Sequence, residues 1–331
     1  MIMRDRNISR CVWCAKAFAI LTVIFAHSDF QHVSSVWLDI IFQRIGAMGV
    51  PLFLLLSAYY YIPSKYTSLW ELIKSRRTTF SPWLIFSAAC YFWSNLRMGK
   101  ELNVLSCIQF ILGYNSLFYF MTVLILLQFI FYVFRFVNIR IMLVISIIFT
   151  IISTEMAALG ITDGVLAHIG LTNYLNIFNW IGFFALGLYL QTIEKCKIVH
   201  LIKKSFIVFI LIWLSLYILG FYIENGQFGY FSVLGFFMET ASVVIIMWLA
   251  WIACHLDWIV QLGKYSFSIY LVHINIVPIV NKFLGVNEFG EIISPFITYF
   301  LSFLLIWLVC RLLKAFKISF ISKYLLGVRI E

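Results

Sequence analysis

Residues 203–223 read KKSFIVFILIWLSLYILGFYI, and this stretch decides the fold class. After the paired lysines, the remainder of the stretch carries no charged residue. A helix needs about 20 mostly apolar residues to cross the hydrocarbon core of a bilayer. The run is also continuous, whereas a strand of a membrane barrel alternates apolar and polar residues over about 10 positions. The stretch therefore predicts a membrane-spanning α-helix.

The rest of the chain has the same character. Of its 331 residues, 63% are hydrophobic and 11% are charged, and the mean hydropathy is +0.99. A soluble domain is about one quarter charged, so this composition excludes a soluble enzyme, a disordered chain and a disulfide-rich secreted domain. We predict an all-α integral membrane protein, folded as one bundle of about ten transmembrane helices. The predicted spans lie near residues 11–28, 44–62, 79–96, 116–136, 139–156, 175–192, 203–223, 232–253, 264–283 and 291–314.

The distribution of basic residues predicts the orientation of the bundle. With ten spans, 20 of the 24 lysines and arginines fall on the side of the N-terminus, and Arg44, Arg97, Lys100 and Lys282 fall on the other. Cytoplasmic loops are enriched in lysine and arginine, so both termini are expected in the cytoplasm. We attribute the net charge of +10 to the orientation of the protein in the membrane. We therefore expect the lipid bilayer as a partner and do not expect nucleic acid.

The loops between the predicted spans are short. We therefore expect a single transmembrane domain over residues 1–331, with no soluble domain appended. The seven cysteines are scattered and suggest no disulfide framework. Cys11 and Cys14 form a lone C-x-x-C, which is best explained as two small apolar residues at a helix start, and we expect no metal site.

Lys16 and His27 are the first polar pair inside a predicted span. They are eleven residues apart, which is close to three helical turns, so both side chains fall on one face about 16 Å apart. This stripe would join a cation near the cytoplasm to a base near the outer surface. The alternative is a snorkelling lysine and an interfacial histidine without chemistry.

Four further polar positions are functional candidates because ionisable groups are costly inside a membrane. Glu239 could orient His27, or it could form an ion pair with an outer cation such as Arg44. His273 could carry protons, or it could hydrogen-bond across helices. Arg76 and Arg77 suit a phosphate-rich ligand. The alternative is the ordinary enrichment of basic residues at the cytoplasmic ends of membrane spans.

Several segments, in order along the chain, resemble the membrane acyltransferase-3 family. Its first span carries a basic residue, usually arginine, eleven positions before a histidine, and Lys16 and His27 match that spacing. The resemblance covers nearly the whole chain, without the extracellular esterase-like domain that some members carry. The similar segments are residues 16–28 (KAFAILTVIFAHS), 49–60 (GVPLFLLLSAYY), Arg76 with Pro82, Tyr119 with Phe120, 182–190 (GFFALGLYL) and 264–273 (KYSFSIYLVH).

This resemblance implies a polysaccharide or sugar O-acetyltransferase of the bacterial plasma membrane. Such an enzyme moves an acyl group, usually acetyl, from cytoplasmic acyl-CoA to a hydroxyl of a surface glycan or its lipid-linked precursor. Acetyl-CoA is then a substrate, no cofactor is bound, and other polysaccharide-assembly proteins are possible partners.

The chemistry of the polar residues, taken together with this resemblance, suggests roles for individual residues. The donor would bind to Lys16, Arg76 and Arg77. His27 would act as a general base or as an acyl-carrying nucleophile, with Glu239 as its catalytic partner. The supporting residues would be Arg44, Ser57, Tyr119 and His273.

Two other classes of protein have to be considered. A transporter or flippase for a polar or anionic solute would also hold a few polar residues at mid-depth. The sequence shows no pair of Gly/Pro-broken spans in two halves, which argues against it. A scaffold or regulator without chemistry would leave Lys16 and His27 without a role.

Overall fold

The computed structural model describes residues 2–28, 30–114, 116–162, 172–224, 230–285 and 287–328. Within these ranges the chain is all α-helical and contains no strand, which confirms the predicted fold class. Two short 3₁₀ turns, Pro63–Lys65 and Ile177–Asn179, complete the regular structure. The α-helices are α1 Ile2–Ala26, α2 Val36–Ala47, α3 Gly49–Tyr59, α4 Leu69–Ser75, α5 Arg77–Met98, α6 Val104–Ile111, α7 Tyr119–Val133, α8 Ile139–Ala158, α9 Ile181–Leu190, α10 Lys195–Glu224, α11 Val233–Ala253, α12 Asp257–Lys264, α13 Ser266–Leu284, α14 Glu288–Ala315 and α15 Ser319–Leu325.

Seven helical segments in the described ranges are long and apolar enough to cross a membrane. They correspond to α1, the α2–α3 pair, α8, α10, α11, α13 and α14. The other three predicted spans also form helices, but α7 and α9 have only 15 and 10 residues, and α5 is less apolar. A multi-pass membrane protein is thus confirmed, while the number of ten spans and the cytoplasmic termini stay predictions.

The second span begins earlier than the sequence indicated. Helix α2 starts at Val36 because the hydroxyl of Ser35 caps it, accepting the backbone N–H of Leu38. Arg44 was expected at the outer start of a span at residue 44, but it lies in the last turn of α2 and its side chain is buried. The chain then continues through Met48 into α3, so Arg44 faces the interior of the bundle.

Helix α1 lies at the centre of the bundle. It packs against α2, α3, α11, α12, α13 and α14, and most of its side chains from Cys11 to Phe25 are buried. Because α1 carries both Lys16 and His27, these helices form the surroundings of both residues.

Two glycines allow the closest contacts of α1. A Cβ at Gly49 would lie 2.5 Å from Val23 Cγ2 and 2.7 Å from the Ala19 carbonyl oxygen. A Cβ at Gly263 would lie 1.8 Å from the Trp13 carbonyl oxygen. Any larger residue would push α3 or α12 away from α1. The two glycines thus allow α3 and α12 to pack directly on this central helix.

The C-terminal helix α15 packs against α5. It lies at the end of the bundle where Lys264 is found. The Ser81 hydroxyl of α5 donates to the Tyr324 carbonyl, and the Ser268 hydroxyl of α13 donates to the Leu326 carbonyl over 2.6 Å. These bonds satisfy carbonyls at the end of α15 that have no partner within the helix. They also bring Gly327 to the wall of a cavity between the helices.

Candidate functional site

A cavity of about 410 Å³ lies between α1, α3, α5, α7 and α13. Among the described residues, three cations line it, namely Lys16 of α1, Arg76 between α4 and α5, and Lys264 at the end of α12. Apolar and aromatic side chains, among them Phe53 and Phe120, form much of the remaining wall. We refer to this space as the basic cavity, and it suits a ligand that combines anionic groups with an apolar part.

Both predicted donor cations in this cavity lie over aromatic rings. Lys16 Nζ is 4.7 Å from the centre of the Trp13 ring, and Arg76 Cζ is 5.3 Å from that of Tyr61. The Tyr61 hydroxyl donates to the Gln128 carbonyl over 2.7 Å, which fixes the ring. Arg76 Nε is buried and has no hydrogen-bond partner among the described residues. The Arg76 guanidinium therefore retains donor capacity for a ligand.

The other predicted donor and supporting residues divide between two environments. Ser57 of α3 lines the basic cavity. Arg77 is not among the described residues that line it, and its guanidinium lies 5.8 Å from the ring centre of Tyr324. The structure thus gives Arg77 a contact with α15 instead.

A second cavity, of about 740 Å³, lies at the other end of α1. His27 and Ser28 line it from the end of α1, and Gln43 and Arg44 line it from α2. His27 directly follows the helix, and its backbone N–H donates to the Ile24 carbonyl over 3.1 Å. We call this space the histidine cavity.

Tyrosine side chains form one side of the histidine cavity. Tyr119, Tyr174 and Tyr230 all line it. The ring centres of Tyr119 and Tyr174 are 5.0 Å apart, and those of Tyr174 and Tyr230 are 5.8 Å apart. Such a wall offers broad apolar faces together with hydroxyl groups, which suits a ligand of similar mixed character.

The two cavities adjoin inside the bundle, and we call the wall that they share the junction. Val23 of α1 and Val50 of α3 are the described residues that line both of them. Lys16 in the basic cavity, Val23 at the junction and His27 in the histidine cavity succeed one another along α1. The helix therefore connects a cationic chamber to an imidazole through an apolar junction.

The imidazole of His27 has a second imidazole as its neighbour. The ring centres of His27 and His273 are 5.4 Å apart, and the two ring planes differ by 30°. His273 lies in α13, is 1% exposed, and places its Nδ1 2.7 Å from the Tyr270 carbonyl oxygen. Its Nε2 is buried without a hydrogen-bond partner among the described residues.

Glu239 lies in α11 and is buried. Arg44, Tyr119, Tyr174 and Tyr230 are all near enough to interact with it electrostatically. Of its two carboxylate oxygens, Oε1 has no hydrogen-bond partner in the described part of the chain. The structure thus places Glu239 near Arg44 and the tyrosines of the histidine cavity. Both sequence interpretations, a partner that orients His27 and an ion pair with an outer cation, stay predictions.

Sequence reasoning did not single out Lys264, Tyr174 or Tyr230 as site residues. Lys264 begins the segment of residues 264–273 that resembles the acyltransferase-3 family. Its position in that segment could have identified it as a candidate site residue. The two tyrosines lie in loops before α9 and α11. No local pattern distinguishes them from the other aromatic residues, which form 19% of the chain.

The fold and the two cavities define a multi-pass helical membrane protein with one cationic chamber and one histidine chamber. A family model described as an acyltransferase domain, that of the acyltransferase-3 family, matches residues 12–314. Because this match covers nearly the whole chain, the protein belongs to that family of membrane acyltransferases. No curated protein and no solved structure matches the chain.

Proposed function

We propose that this protein transfers an acetyl group from acyl-CoA to a hydroxyl of a glycan. The observation that supports this best is that Val23 and Val50 line both a cationic cavity and a cavity that contains an imidazole, so the two cavities adjoin there. A donor with a charged end and a reactive end, bound along α1, would have one end in each cavity.

The basic cavity is the proposed donor site. Acyl-CoA is a polyanion with a long, thin thioester arm. Its phosphates would bind to Lys16 and Arg76, with Lys264 as a third cation, since ammonium and guanidinium groups both form strong charge-assisted bonds to phosphate. The arm would follow α1 past Val23 toward His27, over the roughly 16 Å that separate residues 16 and 27 on a helix.

The histidine cavity is the proposed site of reaction. The acceptor oxygen attacks the thioester carbonyl, a C–O bond forms and the C–S bond breaks. His27 takes the proton of the attacking hydroxyl and returns it to the departing thiolate, as a general base and then a general acid. An alternative route transfers the acyl group first to His27 and then to the acceptor. Tyr119 and Arg44 line this cavity and are the proposed donors to the developing oxyanion.

A glycan is the proposed acceptor because the tyrosines beside His27 present flat apolar faces with hydroxyl groups. Sugars combine apolar C–H faces with hydroxyls, so both parts would find contacts there. With the predicted topology this cavity opens to the outer side of a bacterial plasma membrane. The acceptor would then be a surface glycan or its lipid-linked precursor, and the enzyme would work beside other polysaccharide-assembly proteins.

Proteoliposomes test this proposal directly. Purified protein is given radiolabelled acetyl-CoA on one side and a panel of neutral, amino-sugar and uronic acid oligosaccharides on the other. We expect label on an oligosaccharide and release of free CoA thiol, both of which require His27. A transporter would move label across the membrane without acetylating any sugar, and that result would contradict the proposal.

A further inference from the structure

The orientation of His273 is fixed by its own helix. Its Nδ1 lies 2.7 Å from the Tyr270 carbonyl oxygen and 3.3 Å from the Ile269 carbonyl oxygen. A carbonyl oxygen can only accept, so Nδ1 carries the hydrogen and donates it. In the neutral imidazole the other nitrogen, Nε2, then bears a lone pair and can only accept.

This Nε2 atom lies in the interior of the bundle. It is buried and has no partner among the described residues, in a side chain that is 1% exposed. A buried polar atom without a hydrogen bond is unfavourable, and most such atoms in proteins have a partner. The atom therefore calls for a nearby donor.

His27 is the neighbouring side chain that can supply this donor. The two ring centres are 5.4 Å apart, and the planes differ by only 30°. Two imidazoles joined by an N–H···N hydrogen bond in the plane of the rings have about this separation, given a nitrogen–nitrogen distance of about 3 Å. This separation is therefore compatible with a hydrogen bond from a ring nitrogen of His27 to Nε2.

We propose that His273 is a positioning residue that fixes the tautomer of His27. The nitrogen of His27 that faces His273 carries the hydrogen and donates it to Nε2. The other nitrogen of His27 is then the lone-pair base directed at the histidine cavity. This inference rests on the proposed function, and it assigns to His273 the role that a buried carboxylate plays in other base-plus-orienter pairs.

The arrangement accounts for proton movement with the two imidazoles alone. When the acceptor hydroxyl is deprotonated, its proton goes to the free nitrogen of His27. The resulting imidazolium keeps its hydrogen bond to His273 Nε2, which stabilises the positive charge. The same proton then leaves with the CoA thiol, so both imidazoles end in their starting states.

Replacement of His273 tests the role through kinetics. His273→Leu keeps a side chain of similar size and removes the Nε2 acceptor. We expect kcat for acetyl transfer to fall by about 10²-fold, with KM for both substrates nearly unchanged. His273→Gln retains a carbonyl acceptor and should recover most of that loss. His255→Leu makes the same replacement at an exposed histidine and should leave kcat unchanged. Wild-type kcat in folded His273→Leu, or equal losses in His273→Leu and His273→Gln, would overturn the assignment.

A second measurement does not depend on activity. Nitrogen NMR of protein labelled only at its six histidines reports the tautomer of each ring, and the His27 signals are assigned from their loss in His27→Ala. We expect one tautomer of His27 in the wild type and a mixture of both in His273→Leu. A mixture in the wild type would refute the role of His273 even if acetyl transfer is observed. A single tautomer without any acetyl transfer would instead refute the proposed function.

Discussion

Val23 and Val50 form the apolar junction between the basic cavity and the histidine cavity. Gly49 makes this junction narrow, because its missing side chain lets the backbone of α3 approach within contact distance of Val23. Valine is stiff at χ1, so the two side chains have few alternative positions. The junction therefore restricts passage between the two cavities.

Enlarging Val50 should block the junction. We expect Val50→Phe to reduce acetyl transfer by at least about tenfold, since the thioester must reach within about 3.5 Å of the attacking group. Acetyl-CoA binding, measured by isothermal titration calorimetry, should be weakened much less because the cations remain in place. Val144→Phe, at an exposed position of α8, is the matched control. Full acetyl transfer by folded Val50→Phe would show that the donor takes another route.

The membrane topology is a second prediction, and it rests on the distribution of basic residues. Single cysteines are introduced at Ser34, before α2, and at Gln261, in α12, in a chain without other cysteines; both positions are exposed. We expect an impermeant maleimide to label Ser34→Cys in intact cells, and Gln261→Cys only after the membrane is opened. The reverse labelling would invert the bundle and place the basic cavity on the wrong side for cytoplasmic acyl-CoA.

The sequence was sufficient for the features that depend on local patterns. Continuous apolar runs predicted each helix that corresponds to a span, and helical periodicity placed Lys16 and His27 on one face of α1. In the structure each of these two residues lines a cavity, one at each end of that helix.

The remaining features depend on contacts between distant parts of the chain. The partner of His27 is 246 residues away in α13, and no spacing rule connects the two. Arg44 became an interior residue only because α2 begins at Val36. The sequence alone could not show that Arg76 lines the basic cavity while Arg77 contacts Tyr324.

Donor binding is expected to depend on the cations of the basic cavity. Lys16→Ala and Arg76→Ala should each raise KM for acetyl-CoA by about 10- to 100-fold, because a hydrogen bond to a charged group contributes about 1.5–3 kcal/mol. Their kcat values should change less, since phosphate contacts are made equally in the ground state and the transition state. Lys16→Arg should keep activity because it preserves the charge. Steady-state kinetics over a range of acetyl-CoA concentrations gives both constants.

Arg77→Ala is the matched control for these variants. Arg77 contacts Tyr324 and does not line the basic cavity in the described structure, so its KM for acetyl-CoA should stay within about twofold of the wild type, as for surface charges in general. A large rise in KM for Arg77→Ala, or an inactive but folded Lys16→Arg protein, would contradict this placement of the donor.

His27 is expected to carry the chemistry. It lines the cavity that the acceptor would occupy, and α1 connects it through Val23 to the donor cations. A positioned general base contributes about 10²- to 10⁴-fold in rate, so His27→Ala should reduce acetyl transfer to background while acetyl-CoA binding is retained. Glu239→Gln should give a smaller, partial loss, because Glu239 interacts with Arg44 and the tyrosines. Glycan acetylation measured in cells at matched expression levels compares the variants. Wild-type acetylation by His27→Ala would refute the mechanism. A complete loss in Glu239→Gln alone would indicate that Glu239, and not His27, takes the proton of the acceptor.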